Sequence, residues 1–357
     1  MPVHVPGCAA IAGSQRGAQT AARCDREELV VRFAVIGAGA LGTLYAAHLA
    51  RADHEVQLFA RGARAKRIRS HGIRVCGSAD FTTDVTVVTD PAAVEPVDAL
   101  ILAVKTYDTA DALRPLANLA VGCAFSVQNG VGKNLALLGH WGHAHVAGAI
   151  SMVGGEVTTA NDAPDGPLDV RYDMAAPTLL GALESDGPDV PPIVDALRDA
   201  NLAAEVRADI VSVEWSKFVG WSGVSALAAL TRLPTATFLS APETALIAAR
   251  VMRETAAVAG ALGIDLDPTG MARAEVLQGT EAEAVDALLD QGRRMRANAP
   301  LFRQSILQDA DRGRPLEVNE TLGHTQSEGA RLGVATPALD FCCSVLRVVS
   351  AAHAASG

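Results

Sequence analysis

Three groups of residues in this chain have the types and spacing to do chemistry. The first is Gly37-Ala38-Gly39-Ala40-Leu41-Gly42, a GxGxxG run that follows the apolar, branched stretch Val31–Ile36 and opens a helix-forming stretch through Ala50. In that setting the first glycine makes a tight turn and the second lets the backbone approach a pyrophosphate. The third permits close packing of helix on strand. The helix then points its unpaired N–H groups at the phosphates, so the chemistry is dinucleotide binding. The second group stands at the end of the next strand, Glu55–Ala60, where NAD-binding chains offer a carboxylate to the ribose 2′-hydroxyl. Here the chain reads Phe59-Ala60-Arg61-Gly62 with no acid after Glu55, and Arg64, Lys66 and Arg67 follow. The Arg61 guanidinium suits a 2′-phosphate, which favours NADP(H). A solvated basic helix accounts for Lys66 and Arg67 and leaves the missing acid unexplained. The third group is Glu214-Trp215-Ser216-Lys217-Phe218-Val219-Gly220-Trp221, one lysine amid bulky apolar groups with no further charge until Arg232. On a helix, Lys217, Trp221 and Ser225 share a face. An ammonium held against apolar surface is disfavoured, which makes it a better proton donor near neutral pH. The competing reading is a lysine that snorkels to solvent or pairs with Glu214.

Two more candidates stand at the C-terminal ends of strands, where ligands bind in open α/β sheets. Lys105 follows the strand Asp98–Val104, and Asn129-Gly130-Val131-Gly132 follows the strand Cys123–Val127. A surface lysine and a plain Asn-Gly turn are the alternatives. Asp309, Asp311 and Glu317 are interleaved with Arg312 and Arg314, which reads as a solvated cluster rather than a metal site. His140, His143 and His145 have no Cys, Asp or Glu close by and read as a loop, so no metal is expected.

The elements that must position these groups follow from the pattern around them. Strands at Val31–Ile36, Glu55–Ala60, Asp98–Val104, Cys123–Val127 and Val146–Ile150 alternate with helical stretches. That alternation implies right-handed crossovers and a parallel, doubly wound sheet, a Rossmann-type α/β domain. The Pro- and Gly-rich segment Val157–Leu183 is expected to finish that sheet with antiparallel strands. After about residue 208 strand signals vanish, and helices are expected near 209–231, 240–262, 270–297, 300–312, 316–332 and 336–351, with Gly263 and Gly333 as stops. The expected organisation is a poorly ordered extension over 1–29, a nucleotide-binding domain over 30–200 and an all-helical substrate domain over 201–357.

The bulk composition sets outer bounds. With 357 residues, 49% hydrophobic and only 4% aromatic, the chain can bury a large aliphatic core. A formal charge of −10 argues against nucleic acid as a partner. The longest mostly apolar stretch noted, Phe218–Leu230, is too short to span a bilayer, so no membrane role is expected. The six cysteines form no CxxC pair, and reduced thiols in a cytoplasmic protein are the plain reading.

Taken in order, GAGALG, the lysine after LILAV, Asn-Gly-Val-Gly, Trp-x-Lys-Phe and Gly-Arg-Pro-Leu-Glu-Val-Asn resemble the signature of ketopantoate reductases, from about Val31 to Pro337. The resemblance implies a Rossmann-type domain followed by an all-α domain of the 6-phosphogluconate dehydrogenase C-terminal-like kind. It also implies NADPH-dependent reduction of a 2-keto acid, and a homodimer as a frequent arrangement, for which the apolar helices after residue 240 could supply an interface. By position, Lys217 resembles the proton donor to the substrate carbonyl, and Glu317 the acidic partner that aligns that transfer. Asn129 is similar to the amide touching nicotinamide and substrate, and Lys105 to the lysine lining the site. Ser305 resembles the hydroxyl that binds the substrate carboxylate, and Gly154 a backbone contact to the cofactor. Where pantoate-forming members carry asparagines this chain has Trp221, Ser225 and Thr235, and Asn319 and Glu320 also depart from the pattern. A site that loses hydrogen-bond donors changes its preference. The alternatives to ketopantoate are a different, more apolar keto acid and a catalytically silent NADP(H)-binding sensor.

Overall fold

The computed structural model describes residues 30–158, 165–267 and 273–356. The expected extension over 1–29 lies outside these, as do the first residues of the helix expected from 270. From Val31 onward the described chain packs as one unit.

The chain enters through β1 (Arg32–Ile36), whose last four residues are fully buried because helices cover both faces of a parallel sheet. There follow α1 (Ala40–Arg51), β2 (Glu55–Phe59), α2 (Gly62–His71), β3 (Ile73–Gly77), β4 (Phe81–Thr83), β5 (Thr86–Val88) and β6 (Val97–Leu102). Next come α3 (Thr109–Leu113), β7 (Val121–Ser126), α4 (Lys133–Trp141), β8 (Ala147–Ser151), β9 (Gly154–Val157), β10 (Leu168–Met174), β11 (Thr178–Ala182), α5 (Pro191–Asp199) and β12 (Ala204–Val206). The central sheet has the order β5-β2-β1-β6-β7 and is parallel throughout, as the alternation implied.

The middle segment divides. β11 lies antiparallel to β8 in a three-stranded sheet of order β12-β11-β8, joined to β7 by a bridge between Ala124 and Val146. β9 and β10 leave it and pair with β3 and β4 in a separate sheet, β4-β3-β10-β9, laid against α1. In β3 buried and exposed residues alternate, the mark of a sheet with one face on the core.

β12 is the last strand among the described residues, and helices follow: α6 (Ile210–Thr231), α7 (Thr235–Phe238), α8 (Pro242–Ala261), α9 (Ala274–Gln278), α10 (Glu281–Asn298), α11 (Ser305–Asp311), α12 (Leu322–Leu332) and α13 (Pro337–Ser356). The single helix expected over 270–297 is two, because Gly279 and a Thr280–Glu283 capping box start α10 afresh. α6 is apolar nearly all round, and it is buried accordingly, with α8, α11 and α13 packed against it. α13, not the stretch in α6, is the helix long and apolar enough to cross a membrane by length and composition, with a mean hydropathy of 1.3 over Pro337–Ala355. Its Leu339, Cys342, Cys343 and Leu346 lie fully buried on the helical core, while Phe341 and Val348 face outward.

Candidate active site

The glycine turn has the shape its spacing calls for. Gly37 adopts φ +112°, and a Cβ there would come within 2.8 Å of the Val104 backbone nitrogen. A Cβ on Gly42 would overlap the Gly37 carbonyl, so both positions are closed to other residues. At Gly39 a Cβ would meet only the Ala103 carbonyl, at 3.8 Å, which leaves room at the helix mouth. Gly39 caps α1 without a side-chain hydrogen bond, and the first turn of α1 carries no acid. These open N–H donors fit a pyrophosphate. Ala38, Ala40 and Leu41 complete the turn around them.

Arg61 is exposed at the start of α2, just past the end of β2. A second arginine, Arg64, reaches the turn itself: its Nη1 donates to the Ala38 carbonyl at 2.6 Å. Burial and the nearby Arg314 lower its pKa, so this part of the molecule already concentrates positive charge.

Lys217 lines a crevice with Gln128, Asn129, Glu214, Phe218 and Trp221. Asn129 comes from the loop after β7, the other residues named from α6, apart from Gln128 beside Asn129. The Lys217 ammonium donates to the Ser151 carbonyl at the end of β8, at 3.0 Å. Burial, aided by the Lys133 ammonium and opposed by Glu214, pulls its pKa down to about 8. Glu214 does not form the ion pair with Lys217 that the competing reading supposed. Its Oε1 accepts from Lys133 Nζ at 2.6 Å and from the Ala149 N–H at 2.9 Å, and its Oε2 accepts from Asn134 Nδ2 at 2.8 Å. Trp221 stacks on Phe218 with ring centroids 5.6 Å apart. Ser225, one turn further on, is fully buried, and its hydroxyl has no protein partner.

Lys105 and Glu317 meet each other. Lys105 Nζ donates to Glu317 Oε2 at 2.9 Å and to Asp309 Oδ2 at 2.6 Å, and Glu317 Oε1 accepts from the Thr106 N–H at 2.8 Å. Two expectations are corrected here. Glu317 spends its carboxylate on Lys105 and Thr106 instead of aligning Lys217. Asp309 and Glu317 are also not solvated, being 4% and 8% exposed, because they neutralise a lysine from the sheet side. Burial alone would lower the Lys105 pKa, but the two carboxylates outweigh it and raise the pKa. Asp311, the third acid of that cluster, pairs at the surface with Arg232 and Arg303. Ser305 opens α11 one turn before Asp309 and is exposed. Gly154 sits in β9, paired with Met174, and does not line the Lys217 crevice.

The structure thus gathers Lys217, Asn129 and Trp221 in one crevice and joins Lys105 to Glu317. Sequence reasoning missed Lys133, Asn134 and Ser151, and treated Glu214 only as a rival partner. One signal was available: Lys133 begins α4, where a cation opposes the helix dipole and calls for a compensating acid.

Comparison with known proteins follows the same division of the chain. Residues 33–182 match the family described as ketopantoate reductase PanE/ApbA, and residues 209–350 match its C-terminal part. The 2-dehydropantoate 2-reductase of Archaeoglobus fulgidus is 28% identical over 308 residues, spanning 85% of this chain and 93% of that protein. That of Halobacterium salinarum is 26% identical over 89% of this chain and 98% of its own. Among solved structures, a PanE/ApbA family ketopantoate reductase from Ralstonia eutropha JMP134 superposes with a TM-score of 0.75 at 26% identity, covering 90% of this chain and 99% of that one. D-mandelate dehydrogenase, solved with NADH and anilino(oxo)acetate, shares the fold with a TM-score of 0.76 at 19% identity, over 90% and 99% of the two chains.

Proposed function

The chain belongs to the ketopantoate reductase family, and on that premise we propose that it is an NADPH-dependent oxidoreductase that reduces a 2-keto acid to the 2-hydroxy acid, with Lys217 as proton donor. The observation that carries this reading is the Lys217 ammonium, enclosed in the crevice, tethered to the Ser151 carbonyl and held at a pKa of about 8. At pH 7 such a group is still protonated, yet it gives up its proton more readily than an ordinary lysine.

We assign the dinucleotide to the turn Gly37–Gly42, with Arg61 and Arg64 to meet a 2′-phosphate, and residues 30–206 and 210–357 to cofactor and substrate respectively; the boundary expected at 200 moves past β12 because that strand pairs with β11. A bound reduced nicotinamide would supply the hydride. The chain's own residues then have separate tasks. Lys217 hands a proton to the carbonyl oxygen as negative charge develops there, a contribution of about 10²–10⁴-fold in rate. Asn129 orients the carbonyl from the loop after β7. Ser305, exposed one turn before Asp309, is available to a carboxylate. Lys105 and Glu317 hold the two halves together at the edge of the site, and Phe218 and Trp221 exclude water.

Ketopantoate is the family's substrate. A second reading, a bulkier apolar 2-keto acid, is supported by the stacked Phe218 and Trp221 rings, which offer an aromatic face in place of amide donors. One experiment separates the readings. The purified chain is offered ketopantoate and an aromatic 2-keto acid such as phenylglyoxylate, and consumption of NADPH and of NADH is followed by absorbance. Reduction of ketopantoate supports the first substrate, and reduction of phenylglyoxylate alone supports the second. In Lys217→Ala the turnover should fall about 10²–10⁴-fold while NADPH binding, read by fluorescence, persists. Undiminished turnover in that variant ends the proposal.

A further inference from the structure

Beneath Lys217 lies a buried ion pair that the reaction as described does not use. Lys133 and Glu214 are 7% and 4% exposed, and their side chains meet at 2.6 Å. The pair is fully furnished: Asn134 Nδ2 and the Ala149 N–H also donate to Glu214, and the Lys133 ammonium reaches the Gly130 carbonyl at 3.3 Å. Three elements are joined by it, α4 through Lys133 and Asn134, β8 through Ala149, and α6 through Glu214. Glu214 precedes Lys217 by three residues, so the two share a face of α6 and the same crevice.

Taking two charges out of water is costly, and a buried pair is seldom more stabilising than apolar residues of the same volume. Its place one turn from Lys217 suggests another use. We propose that Lys133 and Glu214 are positioning residues for Lys217, a balanced pair that fixes α6 against α4 and β8 and sets the electrical environment of the donor. The proposal rests on the reading of Lys217 as proton donor. The charged groups that face Lys217 are Lys133 from α4 and Glu214 from α6 itself. β8 presents no charged group, only the Ser151 carbonyl, the Ala149 amide and Ile150, and Asp309 and Glu317 are each bonded to Lys105. Of the two facing charges Lys133 acts more strongly, so the pair as a whole tilts Lys217 toward giving up its proton.

The signs make the idea testable. Lys133→Gln removes the like charge and leaves the opposite one, so Lys217 should hold its proton to higher pH. Glu214→Gln does the reverse. The pH dependence of kcat/KM should therefore have its basic limb moved up by about one unit in the first variant and down by about one unit in the second. The double variant should lie above the wild type by less than the first. An NMR titration of isotope-labelled lysine should show the same order at Lys217 itself, independent of turnover. A limb and a titration unmoved in both single variants, or moved the same way, would overturn the inference. If a single variant does not fold, the double should fold better, since no charge is left unpaired; failure of that recovery would also overturn it. Lys217→Ala keeps the two proposals apart. Lost turnover with unmoved limbs rejects only the pair's role, whereas retained turnover rejects Lys217 as donor.

Discussion

Lys105, just past the end of β6, sits between the Asp309 and Glu317 carboxylates, whereas Lys217, inside α6, has the Ser151 carbonyl as its hydrogen-bond partner. Both side chains are half-buried, and burial disfavours the charge on each. At Lys105 two direct acids overcome it, and the charge is locked in. At Lys217 the nearest acid, Glu214, is already engaged by Lys133, and the charge is held loosely. A lysine that must clasp two halves of a molecule needs the first arrangement. A lysine that must release a proton needs the second. The residue type is identical, and the partners decide between the two uses.

The contrast can be broken most forcefully at the clasp. Lys105→Met leaves two buried carboxylates side by side, and unfolding by denaturant should show a loss of about 3 kcal/mol, the low end for a broken buried pair because Lys105 is partly exposed. The loss should shrink as pH is lowered and Asp309, whose pKa burial raises, takes up a proton. An unchanged midpoint would mean that the clasp contributes nothing.

The opposite sign is expected for Lys217→Met. The folded-state pKa of about 8 lies below the ordinary 10.5, so at pH below about 8 both folded and unfolded chains carry the proton and the wild type bears the whole cost of enclosing the charge. Between those values only the unfolded chain is protonated, and wild-type stability climbs with pH. The variant should therefore be more stable at pH 7, on the order of 2 kcal/mol after allowance for partial exposure, with the gain gone by about pH 10.5. No gain at pH 7 would show that the ammonium is not under strain.

The smallest effect sharpens the contrast most. Glu317→Gln leaves Lys105 paired with Asp309 and should cost about 1 kcal/mol or less. It should also leave unmoved the basic limb of kcat/KM, which the proposed role of Lys217 puts near pH 8. A displaced limb would return Glu317 to Lys217 and undo the distinction drawn here.

What the sequence made legible is what short-range rules govern. The strand, glycine turn and start of α1 are contiguous, and their residue types are dictated by backbone sterics within a few positions. The helices beyond residue 208 declare themselves by composition, and Gly263 and Gly333 stand where α8 and α12 have ended. The enclosure of Lys217 could be read from Trp215, Phe218 and Trp221 around it. The partner of Glu317 could not. Lys105 is 212 positions away, and nothing local to either residue names the other. The sheet of β3, β4, β9 and β10 was hidden for a related reason: strands as short as Phe81–Thr83 carry too few residues for a period of two to stand out.

Ser151 stands at a junction. Its carbonyl receives the Lys217 ammonium, and its hydroxyl accepts from the phenol of Tyr45, which belongs to α1, the helix opened by the glycine turn. Tyr45 is fully buried, and its phenol oxygen is also hydrogen-bonded to the Thr178 hydroxyl of β11. The helix that would carry the nucleotide and the helix that carries the lysine are therefore moored to one residue at the tip of one strand. The spacing between those two helices is set through Ser151, by one hydrogen bond on either side of it.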